Sequence, residues 1–439
     1  LVVLVAAALA SVRPDAATRA SRPAEQVPLA QAAVVCPSAL DGRSGTVTTL
    51  AVATAGESAG SLTLTADDAV DSVDVAPGQV TVLPAEDRPL VVAGTGELAP
   101  GIVAGLSSSA PLTAHDCRPA SAEQWFTGVG AGPTHASVLE LVNPNAGPAV
   151  VDVELLGQDG PVEAGTLRGI AVPGRSSQQV DLGQAVPRTG VLALHATVVR
   201  GQLGIAVRDR GERLTGGVTT EDWLPAQSAP EREALLLGVR PGGGRHTLAL
   251  ANAGDDEVRA TIRLVTPDSV FAPEGLDPVV VAPHSVTQTE LDDVLASEVA
   301  ADAIGVVVEA SGPVTSSLRS VVDRDLAITA PGETVREATT ALLPEGAKTL
   351  LLGGADAVGV ATVVARAADG TQVLEERLSL APDQGAALDL PAETASVTVT
   401  PQRTGVQGAV RLTGGGLAVL RLRELVRTAA LPAVGPALP

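Results

Sequence analysis

The sequence predicts an all-β protein built of tandem antiparallel β-sandwiches of the immunoglobulin-like kind, with little helix. Three observations carry that expectation. Apolar and polar residues alternate along short segments: Val258, Ala260, Ile262 and Leu264 face one way and Arg259, Thr261 and Arg263 the other, and Val151, Val153 and Leu155 oppose Asp152 and Glu154. A two-residue period is that of a strand with one buried face and one wet face. Turn residues recur roughly every ten positions, the spacing of a sandwich. The segments themselves recur along the chain.

Four stretches, 101–117, 191–209, 304–323 and 408–424, each read as a hairpin: an apolar strand, a small-residue turn and a second strand. Aligned on Leu112, Leu203, Val314 and Leu417, they stand roughly 100 residues apart, a domain-sized interval. A strand, an Asn-containing turn and a strand occur at 135–160 and 246–268, and more loosely at 47–65 and 360–380. A strand, a Pro with Gly or His, and a strand occur at 73–83, 169–182, 279–291 and 378–390. The expected organisation is sandwich one at 31–120, two at 121–218, three at 219–338 and four at 339–428, with a tail at 429–439. The one expected helix is short, LDDVLASEVAA at 291–301.

Before the first sandwich, residues 1–12 are apolar or small, and Arg13 and Pro14 stop the run. Twelve residues are too few to span a bilayer, which needs about 20. They fit a secretory apolar region, with Ala8-Leu9-Ala10 as an A-x-A cleavage pattern. The segment therefore reads as a signal peptide or a truncated membrane anchor, followed by a linker at 13–30. The chain contains no Met, so its beginning reads as incomplete or as a non-standard start. The expected location is extracytoplasmic, secreted or held to the cell membrane by the N-terminal segment. In an exported chain the two cysteines, Cys36 and Cys117, are expected to form one disulfide, tying the first strand of sandwich one to its last.

Net charge is −21 and the only lysine is Lys348. This argues against nucleic acid or anionic lipid as partners, and leaves membrane contact to the N-terminal segment. The apolar residues are mostly Ala, Val and Leu, and the only aromatics are Trp125, Phe126, Trp223 and Phe271. Such residues suit thin sandwiches better than deep ligand pockets.

Motifs with chemical content are few. GESAG at 56–60 matches the nucleophile elbow of serine hydrolases, but Ser58 is followed by the alternating SLTLT rather than a helix. It reads as a loop between strands. His115, His135, His195, His246 and His284 show no metal-ligand spacing. Of the acidic pairs, Asp67-Asp68, Asp255-Asp256 and Asp292-Asp293, the best calcium candidate is NAGDDE at 252–257, which fits a hairpin turn equally well. PGGGRH at 241–246 opens no helix, so a phosphate cradle is unsupported. No catalytic residue, cofactor or metal is expected.

The candidate residues are the aromatics Trp125, Phe126 and Trp223, as inter-domain or ligand-binding groups. EQWF at 123–126, TTEDWLPA at 219–226 and TTALLPEG at 339–346 are placed at the openings of sandwiches two, three and four. Leu343 then stands where Trp125 and Trp223 stand elsewhere. A Trp exchangeable with Leu fills apolar space, since stacking on a sugar needs the ring. Trp223 is expected to be an inter-domain peg.

The segments EQWFTGVGAG, HASVLELVNP, VDVELLGQDG, EDWLPA and LALANAG, with the V-P…V-x-L strands, resemble an uncharacterised family of secreted or membrane-anchored envelope proteins from high-GC Gram-positive bacteria, known as a domain of unknown function. The resemblance covers most of the chain after the leader. It implies an extracytoplasmic envelope protein and supplies no catalytic residue. The expected function is a non-catalytic scaffold, spacer or protein-interaction module, with envelope proteins or cell-wall components as partners. A cell-wall glycan-binding module is the alternative, and a serine hydrolase acting through Ser58 the third reading.

Overall fold

A computed structural model describes residues 25–40, 47–187, 189–211 and 220–431. The leader at 1–12, residues 13–24 of the expected linker and the tail from 432 lie outside the described residues. Among those described, no helix is long and apolar enough to cross a membrane.

The described residues form four antiparallel β-sandwiches with one strand order. Sandwich one shows the plan. Its eight strands are Gln31–Cys36, Thr48–Thr54, Gly60–Ala66, Ala69–Val75, Thr81–Pro84, Leu90–Thr95, Ile102–Ser109 and Leu112–Asp116. The first sheet runs in the order first, sixth, third, fourth; the second runs fifth, second, seventh, eighth. Sandwiches two, three and four repeat both orders. In two and three the fourth strand is split in two, and in three the sixth and seventh fuse into the 18-residue strand Gly305–Val322, which crosses from one sheet to the other. Among the described residues, helix is confined to short turns, including Asp292–Leu295 and Glu298–Ala300 inside the expected helical segment, and Leu182–Ala185 outside it.

The four supposed hairpins are of two kinds. At 101–117 and 408–424 the two strands pair with each other, as seventh and eighth. At 191–209 the strands Val191–Arg200 and Gly204–Gly211 lie in opposite sheets, and at 304–323 there is one continuous strand. A sharp change of sheet and a tight turn use the same small residues, so the two look alike in sequence. The segment 360–380 is likewise a hairpin of third and fourth strands, whereas 135–160, 246–268 and 47–65 carry the chain from one sheet to the other.

The expected boundary at 218/219 is displaced. Strand Thr220–Leu224 pairs with Gly204–Gly211, Trp223 opposite Arg208, and so closes sandwich two rather than opening three. Sandwich three opens with Glu231–Leu237. The resemblance of TTEDWL to TTALL arose because a last strand and a first strand each adjoin a proline-containing linker.

The asparagines of the turns have a structural task. Asn143 Nδ2 donates to the carbonyls of Gly147, Val172 and Pro173, and Asn252 Nδ2 to those of Asp256, Val281 and Ala282. Each Oδ1 accepts a backbone N–H two residues on. Both side chains are buried and fully engaged, which fixes the crossover against the loop that enters the fifth strand.

The four sandwiches close into a ring. The first sheet of each lies on the second sheet of the next, and four apolar clusters mark the junctions. Leu40 meets Ala206 and Trp223 between one and two. Trp125, Val191 and Ala193 meet Ala251 and Val286 between two and three. Leu235, Leu237 and Val307 meet Leu351, Ala409 and Val419 between three and four. Leu342 and Leu425 of four meet Ala53, Val80 and Val103 of one. Two glycines permit close approach: a Cβ on Gly204 or Gly238 would lie 2.5 Å from a methyl of Val35 or Val419 across the junction. The expected linker and tail also contribute, since Glu25–Pro28 pairs antiparallel with Thr428–Leu431 beside the closing junction.

Ring closure explains why alternation is strongest at the outer strands and fails at the inner ones. Val258–Val265 alternates as expected. Residues 191–194, 234–237, 248–251 and 305–308 are buried without interruption, because one face packs in its own sandwich and the other against a neighbour.

Candidate functional site

The eighth strands of the four sandwiches meet at the hub of the ring: Leu112–Asp116, Thr220–Leu224, Asp325–Thr329 and Leu417–Arg421. An eighth strand is a sheet edge, so its outer N–H and C=O groups need partners. Neighbouring sandwiches supply several. Asp222 Oδ2 accepts the N–H of Ile328 at 3.1 Å, and Asp325 Oδ2 accepts that of Leu417 at 3.1 Å. Asp116 Oδ2 accepts from Arg423 Nε at 2.5 Å. Apolar side chains also cross: Leu326 and Ile328 enter the core of sandwich two, and Leu112 enters that of four.

Three of these strands, Leu112–Asp116, Thr220–Leu224 and Leu417–Arg421, help to line a cavity of about 50 Å³, with His115, Asp116, Gln124, Phe126, Trp223 and Arg421 among its walls. A second cavity of about 190 Å³ shares Ala226 and Arg421 with it and is lined also by Pro331, Gly332 and polar residues including Gln227, Glu231, Glu333 and Gln407. Arg421 is 8% exposed and donates to the carbonyls of Pro331 and Ala226. Burial, then the nearby Arg118, lowers its pKa to about 9, so it stays charged at neutral pH. Burial, with Arg118 and Arg421 adding to it, lowers His115 to about 3 and keeps its ring neutral. Burial also drives the Asp222 carboxyl well above the usual range, against the pull of the N–H groups of Trp223 and Ile328.

The expected aromatics divide between hub and junction. Trp223 is 5% exposed and packs on His115, with ring centroids 5.2 Å apart. Phe126 belongs to the core of sandwich two and forms one wall of the hub cavity. Trp125 is 7% exposed, stacks on His195 at 3.9 Å and packs toward sandwich three. Cys36 and Cys117 are joined by a disulfide that ties the end of the first strand to the residue after the eighth, beside the hub.

The remaining candidates do not converge. Ser58 Oγ donates to Glu97 Oε2 at 2.8 Å on the exposed surface. His195 and His284 pair with Glu123 and Asp255, each at 2.8 Å, and His246 Nδ1 meets Ser320 Oγ at 3.0 Å. His135 Nε2 meets the buried Asp209 Oδ1 at 2.7 Å, and Ser137 Oγ donates to the same oxygen at 2.6 Å. That set contains Ser, His and Asp, but the serine bonds the carboxylate rather than the imidazole, so no base stands ready to take its proton. Burial would raise Asp209, but His135, Arg319 and Ser137 outweigh it and hold its pKa at about 2. Asp255 and Asn252 serve the turn at 252–257. Among the described residues no group of three or more His, Cys, Asp or Glu is placed to hold a metal ion.

Sequence reasoning missed the hub residues Gln124, Asp222, Arg421 and Arg423, and weighed His115 only for metal-ligand spacing. The available signal was a charged residue inside an otherwise apolar strand, as in LAVLRLRE at 417–424. Alternation alone assigns such a residue to the wet face.

Comparison with known proteins adds a family and little else. No curated protein matches the chain. Among solved structures, the crystal structure of Streptomyces avermitilis alpha-L-rhamnosidase complexed with L-rhamnose aligns with 91% of this chain at 12% identity and a TM-score of 0.16. The chain spans 44% of that one, and so distant a likeness carries no argument about fold or function. A family of unknown function (DUF5719) matches from residue 79, between the fourth and fifth strands of sandwich one, to residue 391, just after the fifth strand of sandwich four. The match takes in more than half of the sequence, and the chain belongs to that family.

Proposed function

We propose that this protein is a non-catalytic, extracytoplasmic component of the cell envelope of a high-GC Gram-positive bacterium, acting as a rigid scaffold for other envelope proteins. The observation that carries the reading is the closed ring. Each sandwich is braced on two sides, so the sandwiches hold fixed relative positions, as an assembly platform needs. The Cys36–Cys117 disulfide supports an oxidising compartment. The acidic surface supports a soluble, non-adhesive body. Both tryptophans are buried, which weakens the glycan-binding alternative, since a stacking platform needs an open ring face.

The test is cell fractionation with non-reducing peptide mapping, followed by cross-linking in intact cells. The expected result is a linked Cys36–Cys117 peptide in the extracytoplasmic fraction and cross-links to envelope proteins. A cytoplasmic protein with free thiols would overturn the compartment. Turnover of model esters that is lost in Ser58→Ala would overturn the non-catalytic reading.

A further inference from the structure

We propose that the cleft between sandwiches one and two binds an extended peptide of a partner protein, one that carries a basic and an acidic side chain. The inference rests on the scaffold reading only for the source of that peptide.

The repetition within the ring is the first argument. At the other three junctions the outer parts of the two sandwiches touch. Between two and three, the fifth strand Ser285–Glu290 packs over Ala149–Gly157, Gly160–Val162 and Val191–Arg200. Between three and four, the N–H of Gly385 donates to the carbonyl of Thr266 at 2.9 Å. Between four and one, the N–H of Val80 donates to the carbonyl of Ala368 at 2.9 Å. In these last two junctions the residue before a fifth strand meets the turn after a third strand. The same two places in sandwiches two and one are held by Arg175 and by Asp67 and Asp68. Here they stand across a cleft of about 360 Å³. The contacts that join this pair, Ser38 with Glu140 and Leu40 with Ala206 and Trp223, involve none of the residues that line the cleft.

Charge is the second argument. Arg175 and Asp68 are exposed, and neither side chain has an ion-pair partner among the described residues. Asp67 reaches only Arg88, at 3.7 Å. Opposite charges thus line facing walls without meeting. A ligand with a basic group toward Asp67 and Asp68 and an acidic group toward Arg175 completes both pairs.

Shape and surface select a peptide. The volume falls in the range of ligand sites, about 300–1,000 Å³. A second cleft of about 540 Å³ adjoins the first and shares Ala33, Ala93 and Pro144 with it. The combined space is elongated and suits an extended chain better than a compact molecule. Its floor includes Thr63, Thr65, Val91 and Ala93, short side chains on the outer face of a sheet. No aromatic residue lines either cleft, so a sugar finds no ring on which to stack. Ser176 and Ser177 open the fifth strand of sandwich two, which is a sheet edge. The outer main-chain groups of an edge are the ones an extended peptide reads.

Fluorescence anisotropy of labelled peptides with the intact chain tests the site. The probes are acetylated, amidated strands of Ala, Val and Thr that carry one Lys and one Glu at increasing separation. Matched sets replace Lys by norleucine or Glu by Gln. The expected result is one peptide bound per chain. Arg175→Gln should weaken the Lys/Glu probes about threefold to tenfold and leave the probes without Glu unchanged. Asp68→Asn should do the same to the Lys/Glu probes and spare those without Lys. Neither side chain ties the fold, so both variants should stay folded. Thr63→Trp, which fills the floor and alters no charge, should abolish binding of every set. The control Arg200→Gln removes a charge from the exposed surface elsewhere and should bind as the unmodified chain does. Absence of binding, binding that Thr63→Trp leaves intact, or loss of the charge matching at either Arg175 or Asp68 would each overturn the proposal. Such a failure would leave the compartment and the cross-links of the scaffold reading standing, and a cytoplasmic location would leave peptide binding in the cleft standing.

Discussion

The indole of Trp223 lies against the imidazole of His115, ring centroids 5.2 Å apart, and joins the closing strand of sandwich two to that of sandwich one. Leu40 and Ala206 complete the contact. Trp223→Ala should therefore cost about 3–5 kcal/mol, the usual range for deleting a buried Trp. Trp223→Leu, which refills part of the space, should cost less. Urea denaturation of the three proteins measures the difference. Equal stability of the Ala and Leu variants would show that the ring is not packing there.

Acid should weaken the fold in two stages. A depressed carboxylate contributes stability above its unfolded pKa that is lost as pH falls through its folded value. For Asp209 the window runs from the ordinary carboxylate range down to about 2, worth about 2 kcal/mol in all. His115 acts earlier. Its unfolded form gains a proton below about pH 6.5, while the folded ring resists protonation down to about 3, so stability declines across that interval. Asp222, held by burial above the usual carboxylate range, acts in the opposite sense and gains stability as pH falls toward that range, so the two stages are read by comparing the denaturation midpoints of variants from pH 7 to 2. The decline above pH 4 should be shallower in His115→Phe, and the one below it shallower in Asp209→Asn.

Ring closure between sandwiches four and one has a polar latch. Arg423 donates to Asp116 Oδ2 and to the carbonyl of Cys117. Removing one partner of a buried ion pair costs about 3–5 kcal/mol when the other is left uncompensated; Asp116 keeps Arg118 at 3.6 Å, so the loss here should be smaller. Arg423→Ala should loosen this junction while the sandwiches stay folded. The maximum dimension from small-angle scattering is expected to rise, with the far-ultraviolet dichroism unchanged. An unaltered scattering curve would mean that the cluster of Leu342, Leu425, Ala53, Val80 and Val103 holds the ring without the latch.

Lys348 is 3% exposed, and its ammonium donates to the carbonyls of Pro344, Ala392 and Thr394. An amine-reactive reagent should leave it unmodified in the folded protein and label it after unfolding. Rapid labelling in native buffer, read by peptide mapping, would contradict its burial. Lys348→Met keeps the stem but strands three acceptors, and should destabilise sandwich four by about 1–3 kcal/mol.

Much of each sandwich was legible in sequence because its signals are local. Alternation in 258–265, the Pro-containing joints at 169–182 and 279–291, and the Asn turns at 143 and 252 depend on neighbours a few residues away. The candidate site was legible only in part. Trp223 and Phe126 stood out by rarity, but nothing local joins Gln124 to Arg421, which lie in different sandwiches and meet only across the hub.

By itself the amino-acid sequence determined an all-β chain of repeated antiparallel sandwiches and the one pairing open to its two cysteines, since a strand's buried face and a sole partner are properties of the chain. Tertiary structure alone decided that Trp223 closes a sandwich rather than opening one, that the four sandwiches form a ring, and that His115, Gln124 and Arg421 share a cavity. Those outcomes rest on which outer face meets which. Apolar faces of Ala, Val and Leu attract without direction, and only the assembled shapes, with Gly204 and Gly238 admitting Val35 and Val419, select the partner.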